Sequence, residues 1–198
     1  CMTETLGLSV TNCATTLALD PRKMEMAYET GKKIVELAKK GIKARDIVTK
    51  KSFENAITVD MAIGGSTNTV LHLPAIAKEF DININIDSFQ KIAEKTPNLT
   101  HIRPSGPDTM DDLDRAGGIP AVLNRIKHLL NKEEKTINGI TIGDIAEVAE
   151  VKGDDVIRTL DNAYSQQGGL RVIKGNLCPE GSIVKVAAVD EKMMVHEG

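Results

Sequence analysis

The residues best suited to chemistry lie in a short turn with the sequence Gly64-Gly65-Ser66-Thr67-Asn68. Paired glycines let a backbone approach a ligand closely, and a helix that begins after them directs free N–H groups at the same point. The three polar side chains add hydrogen-bond donors and acceptors. The turn could therefore seat a small anion, such as a carboxylate or a phosphate. The same residue types also serve as ordinary helix caps, and the local pattern alone favours that simpler role.

Two predicted helices flank this turn in the stretch from residue 53 to residue 73. Ser52 is the predicted N-cap of the first helix, and Ser66 is the predicted N-cap of the second. Asp60 falls on the apolar stripe of the first helix, where a charge is out of place unless it is paired. That stripe consists of Phe53, Ala56, Ile57 and Met61.

Side chains that could bind a metal are scattered. His72 lies within the second predicted helix, where a packed histidine is a commoner outcome than a functional one. The acidic pair Asp111 and Asp112, with Asp114 nearby, could suggest a divalent cation. In the first turn of a short helix, however, such residues are explained more simply by the helix dipole. The sequence contains no GxSxG, P-loop or dinucleotide-binding motif.

Composition excludes several classes of protein. The net charge is −3 and no basic arm is present, so nucleic acid is not an expected partner. No apolar run approaches membrane length, and no secretory signal is evident, so no membrane partner is expected. The three cysteines have no CxxC spacing, which argues against both a metal site and a disulfide framework and fits a reducing cytoplasm. Each is expected to be a small buried residue: Cys1, Cys13 and Cys178.

The pattern of the chain changes near its C-terminal end. Helical periodicity dominates as far as the polar segment that ends at Gly168 and Gly169. Beyond it, residues 170–189 have a β pattern and predict an antiparallel hairpin. Earlier, the alternation of isoleucine and asparagine over residues 82–86 predicts a strand, with an extended loop as the alternative. Asn138-Gly139 between apolar residues predicts a second hairpin.

Four stretches together resemble the dihydroxy-acid dehydratase/6-phosphogluconate dehydratase family, in its order and approximate spacing. The resemblance covers essentially the whole chain and is closer to the dihydroxy-acid branch. It is carried by CMTETLGLS, ENAITVDMAIGGSTNTVLHLPAIAKE, DLDRAGGIPAVL and GGLRVIKGNLCPEGSIVKVAAV.

The resemblance implies an α/β fold in two parts. Residues 1–168 would be part of the family's α/β/α N-terminal domain, mainly helical with few strands. Residues 169–198 would hold the first strands of a truncated C-terminal β-barrel domain. The implied reaction is dehydration of a 2,3-dihydroxy acid to a 2-keto acid in valine and isoleucine biosynthesis. An iron–sulfur cluster, Mg²⁺ and a homodimer are implied for the full-length cytoplasmic enzyme.

The family's cluster cysteines and its catalytic serine belong to motifs that this sequence does not contain. The resemblance therefore assigns no catalytic or metal-binding residue here, and the chain by itself is expected to be an inactive fragment without a cluster. It does imply that the turn edges the substrate pocket, with Gly64, Gly65, Ser66, Thr67 and Asn68 as substrate-binding residues. The alternatives are a sugar-acid dehydratase acting on a substrate such as 6-phosphogluconate, and a non-catalytic module that binds small anions.

Overall fold

The computed structural model describes residues 1–195 and 197 of the chain. These residues are mainly helical and include one two-stranded antiparallel sheet, which confirms the predicted balance of helix and strand. Three short 3₁₀ turns occur at Ala44–Asp46, Val186–Ala188 and Glu191–Met193. The helices are α1 (Met2–Thr5), α2 (Arg22–Lys39), α3 (Lys50–Ala62), α4 (Thr69–Glu79), α5 (Ile86–Ala93), α6 (Met110–Arg115), α7 (Gly118–Arg125) and α8 (Ile142–Val148), and the strands are β1 (Leu170–Ile173) and β2 (Ser182–Lys185).

Helix α3 lies at the centre of the fold, between two hydrophobic clusters. Val59 and Ala62 belong to a cluster that includes residues of α6, α7 and α8. The predicted apolar stripe belongs to the other cluster, with residues of α4 and α5 and with Leu170 of β1. Because both sides of α3 are covered, α3 is a buried helix. The turn that follows it is therefore attached to a closely packed part of the fold.

The N-terminus of α3 differs from the prediction by one turn. The N-cap is Thr49, whose hydroxyl accepts the N–H groups of Lys51 and Ser52. Ser52 instead lies at the third helical position, where its hydroxyl accepts the N–H of Thr49 at 3.0 Å. The buried carboxylate of Glu134 accepts hydrogen bonds from both hydroxyls. The prediction of Ser52 as the cap is wrong because this reciprocal box extends the helix towards its N-terminus.

The strand predicted at residues 82–86 is also wrong. Asp81 adopts a left-handed conformation with φ +61°, and the chain then runs without ladder pairing into α5. Asn85 is the N-cap of α5, and its side chain accepts the N–H of Ser88 at 3.1 Å. The alternation therefore reflects asparagine used as a helix cap, which is the extended-loop alternative.

The C-terminal hairpin is confirmed, although it is shorter than predicted. Leu170 pairs with Lys185, and Ile173 pairs with Ser182, in an antiparallel register. Beyond β2 the chain forms a 3₁₀ turn over Val186–Ala188 instead of a longer strand. At Asn138-Gly139 the structure has a turn closed by a single antiparallel bridge between Lys135 and Thr141, so the predicted hairpin is reduced to its turn.

Helix α2 contrasts with α3, because none of its 18 residues is buried. Among the described residues, none of the helices combines the length and the apolar character needed to cross a membrane. The exposed apolar side chains of α2 include Met24, Tyr28, Ile34 and Val35.

Candidate functional site

The glycine turn connects the buried helix α3 to α4. Gly64 has φ +55°, a left-handed conformation that favours glycine. The N–H of Gly65 then donates to the carbonyl oxygen of Asp60 at 2.9 Å, which closes the end of α3. The side chains of Ser66 and Asn68 are exposed. The turn thus has a rigid glycine half against the core and a polar half that faces solvent.

The predicted cap of α4 is wrong. Asn68 is the N-cap of this helix and makes no hydrogen bond to it through its side chain. Ser66 lies two residues earlier, where its hydroxyl accepts the N–H of Asn68 at 3.2 Å. Its own hydroxyl hydrogen remains free to donate to another group, because the hydroxyl uses only a lone pair in this contact.

Asp60 is paired, as its position on an apolar stripe required. Its side chain is 1% exposed, and its Oδ2 accepts a hydrogen bond from the hydroxyl of Thr69 at 2.5 Å. Burial raises the pKa of Asp60 to about 7, although the Thr69 hydroxyl, the Ser66 N–H and the charge of Lys185 oppose that rise. The carboxylate of α3 therefore bonds to the residues that begin α4.

The Asp60 carboxylate leaves no room for a side chain at Gly65. A Cβ atom added to Gly65 would lie 1.9 Å from Oδ1 of Asp60 and 2.9 Å from its Cγ. Both atoms belong to a buried side chain that hydrogen bonds hold in place, so it has little room to move. The second glycine of the turn thus makes space for the carboxylate that binds the turn.

The C-terminal segment packs directly against the turn. The N–H of Gly169 donates to the carbonyl oxygen of Met61 at 3.1 Å. The N–H of Ala187 donates to the carbonyl oxygen of Gly169 at 3.3 Å. A Cβ atom on Gly169 would lie 2.5 Å from Cα of Gly64. Lys185 of β2 is near Asp60, and its burial lowers the pKa of its ammonium group. Sequence reasoning treated Gly168-Gly169 as a boundary and missed this contact.

Asn98 completes the buried side of the turn. Among the residues that the structure describes, its Oδ1 has no hydrogen-bond partner, although the residue is only 3% exposed. This oxygen lies 3.1 Å from the position that a Cβ of Gly64 would occupy. Nearby, Nε2 of His101 is 3.1 Å from the carbonyl oxygen of Ala187. No local sequence signal distinguishes Asn98 or His101, because only the tertiary fold brings them to the turn.

The remaining candidates for metal binding do not converge on this site. His72 is exposed on α4 rather than packed, contrary to expectation. Asp111 and Asp112 lie in the first turn of α6, as the dipole explanation predicted, and Asp112 also forms a capping box with Thr109. Asp114 accepts hydrogen bonds from the hydroxyl of Thr15 and from the guanidinium group of Arg22.

The cysteines also serve local roles. Cys1 and Cys13 are half-buried, and Cys178 is exposed, which corrects the expectation that all three are buried. The thiol of Cys178 lies 3.2 Å from the carbonyl oxygen of Gly181 within the hairpin turn. Within residues 1–195 and 197, no group of three or more His, Cys, Asp or Glu side chains is placed to hold a metal ion. The described residues therefore do not fit an iron–sulfur cluster or a Mg²⁺ site by themselves.

Comparison with known proteins assigns the chain to a family. Residues 1–145 match the dihydroxy-acid/6-phosphogluconate dehydratase N-terminal family, and residues 155–198 match the corresponding C-terminal family. The chain belongs to the dihydroxy-acid/6-phosphogluconate dehydratase family. The members of this family are dehydratases, that is, hydro-lyases.

The similar relatives are dihydroxy-acid dehydratases, one of the two branches of this family. The chain is 51% identical over its whole length to the dihydroxy-acid dehydratase of Methanothrix thermoacetophila, of which it covers 37%. It is also 51% identical to the dihydroxy-acid dehydratase of Thermodesulfovibrio yellowstonii and 49% identical to that of Methanosarcina barkeri, and it covers 36% of each. The chain thus spans little more than a third of the length of these curated relatives.

Proposed function

We propose that this chain is part of an enzyme that dehydrates 2,3-dihydroxy carboxylic acids to 2-keto acids in the biosynthesis of branched-chain amino acids. The observation that carries the proposal is an identity of about 50% along the entire chain to several dihydroxy-acid dehydratases. In the full-length protein, residues 1–168 would belong to an α/β/α domain and residues 169–198 would begin a β-barrel. The enzyme would be a cytoplasmic homodimer.

The role of this chain within that enzyme is to bind the substrate rather than to carry out the chemistry. An iron–sulfur cluster and Mg²⁺ would be held by residues outside the described set, because these residues offer no suitable donor group. The fragment alone is therefore expected to be inactive. Its contribution is the turn formed by Gly64, Gly65, Ser66, Thr67 and Asn68, at the edge of the substrate pocket.

Three features of the turn support a substrate-binding role. Its polar half is exposed, so Ser66 and Asn68 are accessible to a small molecule. The Ser66 hydroxyl can still donate a hydrogen bond, which suits a carboxylate or a hydroxyl oxygen of the substrate. Helix α4 begins directly after the turn, so the positive end of its dipole lies at the turn. This positive end would attract the carboxylate of a substrate bound there.

The proposal is tested by assaying the full-length protein with two substrates, a branched 2,3-dihydroxy acid and 6-phosphogluconate. Formation of the 2-keto acid from the branched substrate, with a much higher kcat/KM than for the phosphorylated sugar acid, is the expected result. A preference for 6-phosphogluconate would assign the protein to the other branch of the family. Absence of turnover with both substrates in a fully loaded enzyme would contradict the proposal.

A further inference from the structure

We propose that Asp60 is a positioning residue that fixes the substrate-binding turn in the shape it presents to the dihydroxy acid. This inference rests on the function proposed above. Asp60 does not itself reach the exposed side of the turn, since it is 1% exposed. It acts through Thr69 and Ser66, which lie on either side of Thr67 and Asn68.

Hydrogen bonds link Asp60 to the turn. The Thr69 hydroxyl lies 2.5 Å from Oδ2 of Asp60 and 2.6 Å from the carbonyl oxygen of Ser66. The N–H of Ser66 also faces the carboxylate. The carboxylate therefore holds the hydroxyl of Thr69, the first residue of α4, and that hydroxyl also contacts the carbonyl oxygen of Ser66, the first polar residue of the turn. Half-buried Thr67 and exposed Asn68 lie between Ser66 and Thr69.

The surroundings of the carboxylate fix its position. Asp60 lies on α3, which is covered on both sides by the hydrophobic clusters, so its own position is fixed. The close approach of Gly65 leaves no space for the carboxylate to adopt another arrangement. A buried carboxylate is costly to desolvate, and an apolar residue would pack at this position without that cost. The hydrogen bonds to the turn give this costly group a specific use.

The role of Asp60 differs from ordinary helix capping. A cap satisfies the free N–H groups at the start of its own helix, whereas Asp60 belongs to the preceding helix. Its contacts therefore set the angle at which the chain leaves α3 and enters α4. A loss of these contacts should change the geometry of the turn without unfolding either helix.

The test uses the full-length enzyme and the pair Thr69→Val and Thr69→Ser. Valine has the shape of threonine but no hydroxyl, whereas serine keeps the hydroxyl that donates to Asp60. Hydrogen exchange measures the amides of residues 69–71, and steady-state kinetics with the dihydroxy acid gives kcat and KM separately. Asp60→Asn is a second variant, because its amide oxygen can accept the N–H of Ser66 while its amide nitrogen donates to the hydroxyl oxygen of Thr69.

In Thr69→Val we expect the amides of residues 69–71 to exchange roughly tenfold faster, while those in the middle of α3 stay unchanged. KM should rise roughly tenfold, with kcat within about twofold of the wild type. Thr69→Ser and Asp60→Asn should remain close to the wild type in both measurements.

Two results would overturn the inference. Unchanged exchange in Thr69→Val would show that Asp60 does not hold the turn. Faster exchange with an unchanged KM would show that the turn is held for stability alone. Failure of the proposed function is a separate result: the wild-type enzyme would not turn over the dihydroxy acid, while the exchange measurement would still report on the contact between Asp60 and the turn.

Discussion

The hydroxyl of Thr69 donates to the carboxylate of Asp60 at 2.5 Å, and this bond joins the last turn of α3 to the first residue of α4. The two residues are nine positions apart, on opposite sides of the glycine turn. A charged residue on an apolar stripe is thus explained by the polar turn that follows it.

Gly65→Ala should destabilise the protein severely. The new Cβ would lie 1.9 Å from Oδ1 of Asp60, so either the turn or the carboxylate must move. We expect a loss of about 2–4 kcal/mol in the free energy of unfolding, as for other overpacked sites. The matched control is Gly31→Ala on the exposed helix α2, where nothing lies within 4 Å of the added atom.

In that control, alanine should stabilise the helix by about 0.5–1 kcal/mol. Urea denaturation of both variants provides the comparison. A Gly65→Ala variant as stable as the wild type would show that the carboxylate does not restrict this position.

Asp60 should make stability depend on pH. Its pKa is raised from 3.8 to about 7 in the folded protein, so the folded state binds a proton more tightly than the unfolded state. The stability that this proton gives is complete below pH 3.8 and is lost as the pH rises through 7. Over that range the loss is roughly 4 kcal/mol. The charge of Lys185 faces the carboxylate and opposes the rise in its pKa.

Asp60→Asn cannot titrate at this position and should lose much of that dependence. The measurement is the free energy of unfolding of both proteins by urea between pH 5 and pH 8. Buried Glu4, whose pKa is also raised by burial, is present in both proteins and cancels in the comparison. Parallel pH profiles for the wild type and the variant would contradict the assignment of a titrating carboxylate to Asp60.

Gly169→Ala should disturb the turn from the C-terminal side. The added Cβ would lie 2.5 Å from Cα of Gly64, which is backbone and cannot rotate away. We expect a loss of about 1–3 kcal/mol in stability and a lower kcat/KM in the full-length enzyme. Gly175→Ala is the control within the same hairpin, because nothing lies within 4 Å of its added atom.

The Gly175→Ala control should leave both quantities close to those of the wild type. Calorimetry gives the stability, and initial rates with the dihydroxy acid give kcat/KM. Equal effects of the two substitutions would indicate that Gly169 matters only as a loop glycine and not as a contact of the turn.

Local physics explains which parts of the fold could be predicted from the sequence. The two helices around the glycine turn, the need for a partner at Asp60 and the hairpin after Gly169 all follow from periodicity and from turn residues. The errors occurred where neighbouring residues compete for the same role. Thr49 forms the cap of α3 in place of Ser52, because its side chain reaches the N–H groups two and three residues further along.

The buried side of the candidate site could not be predicted in the same way. Asn98 and Lys185 reach the turn only because two hydrophobic clusters fix α3 between distant parts of the chain. Contacts across 34 or 121 residues, counted from Gly64, leave no local pattern in a single sequence. The polar sequence of the turn was recognisable, but the groups that hold it in place were not.

The most direct test of the proposed substrate-binding role of the turn compares Ser66→Ala with Asn85→Ala in the full-length enzyme. Asn85 is a true helix cap on α5, so its loss should cost about 1 kcal/mol of stability and leave kcat/KM unchanged. Ser66→Ala should show the opposite pattern. A lost hydrogen bond to a charged carboxylate is worth about 1.5–3 kcal/mol, or on the order of a ten- to hundredfold fall in kcat/KM, with a nearly unchanged melting temperature. A Ser66→Ala enzyme with wild-type kcat/KM would contradict the account and remove this turn from the active site.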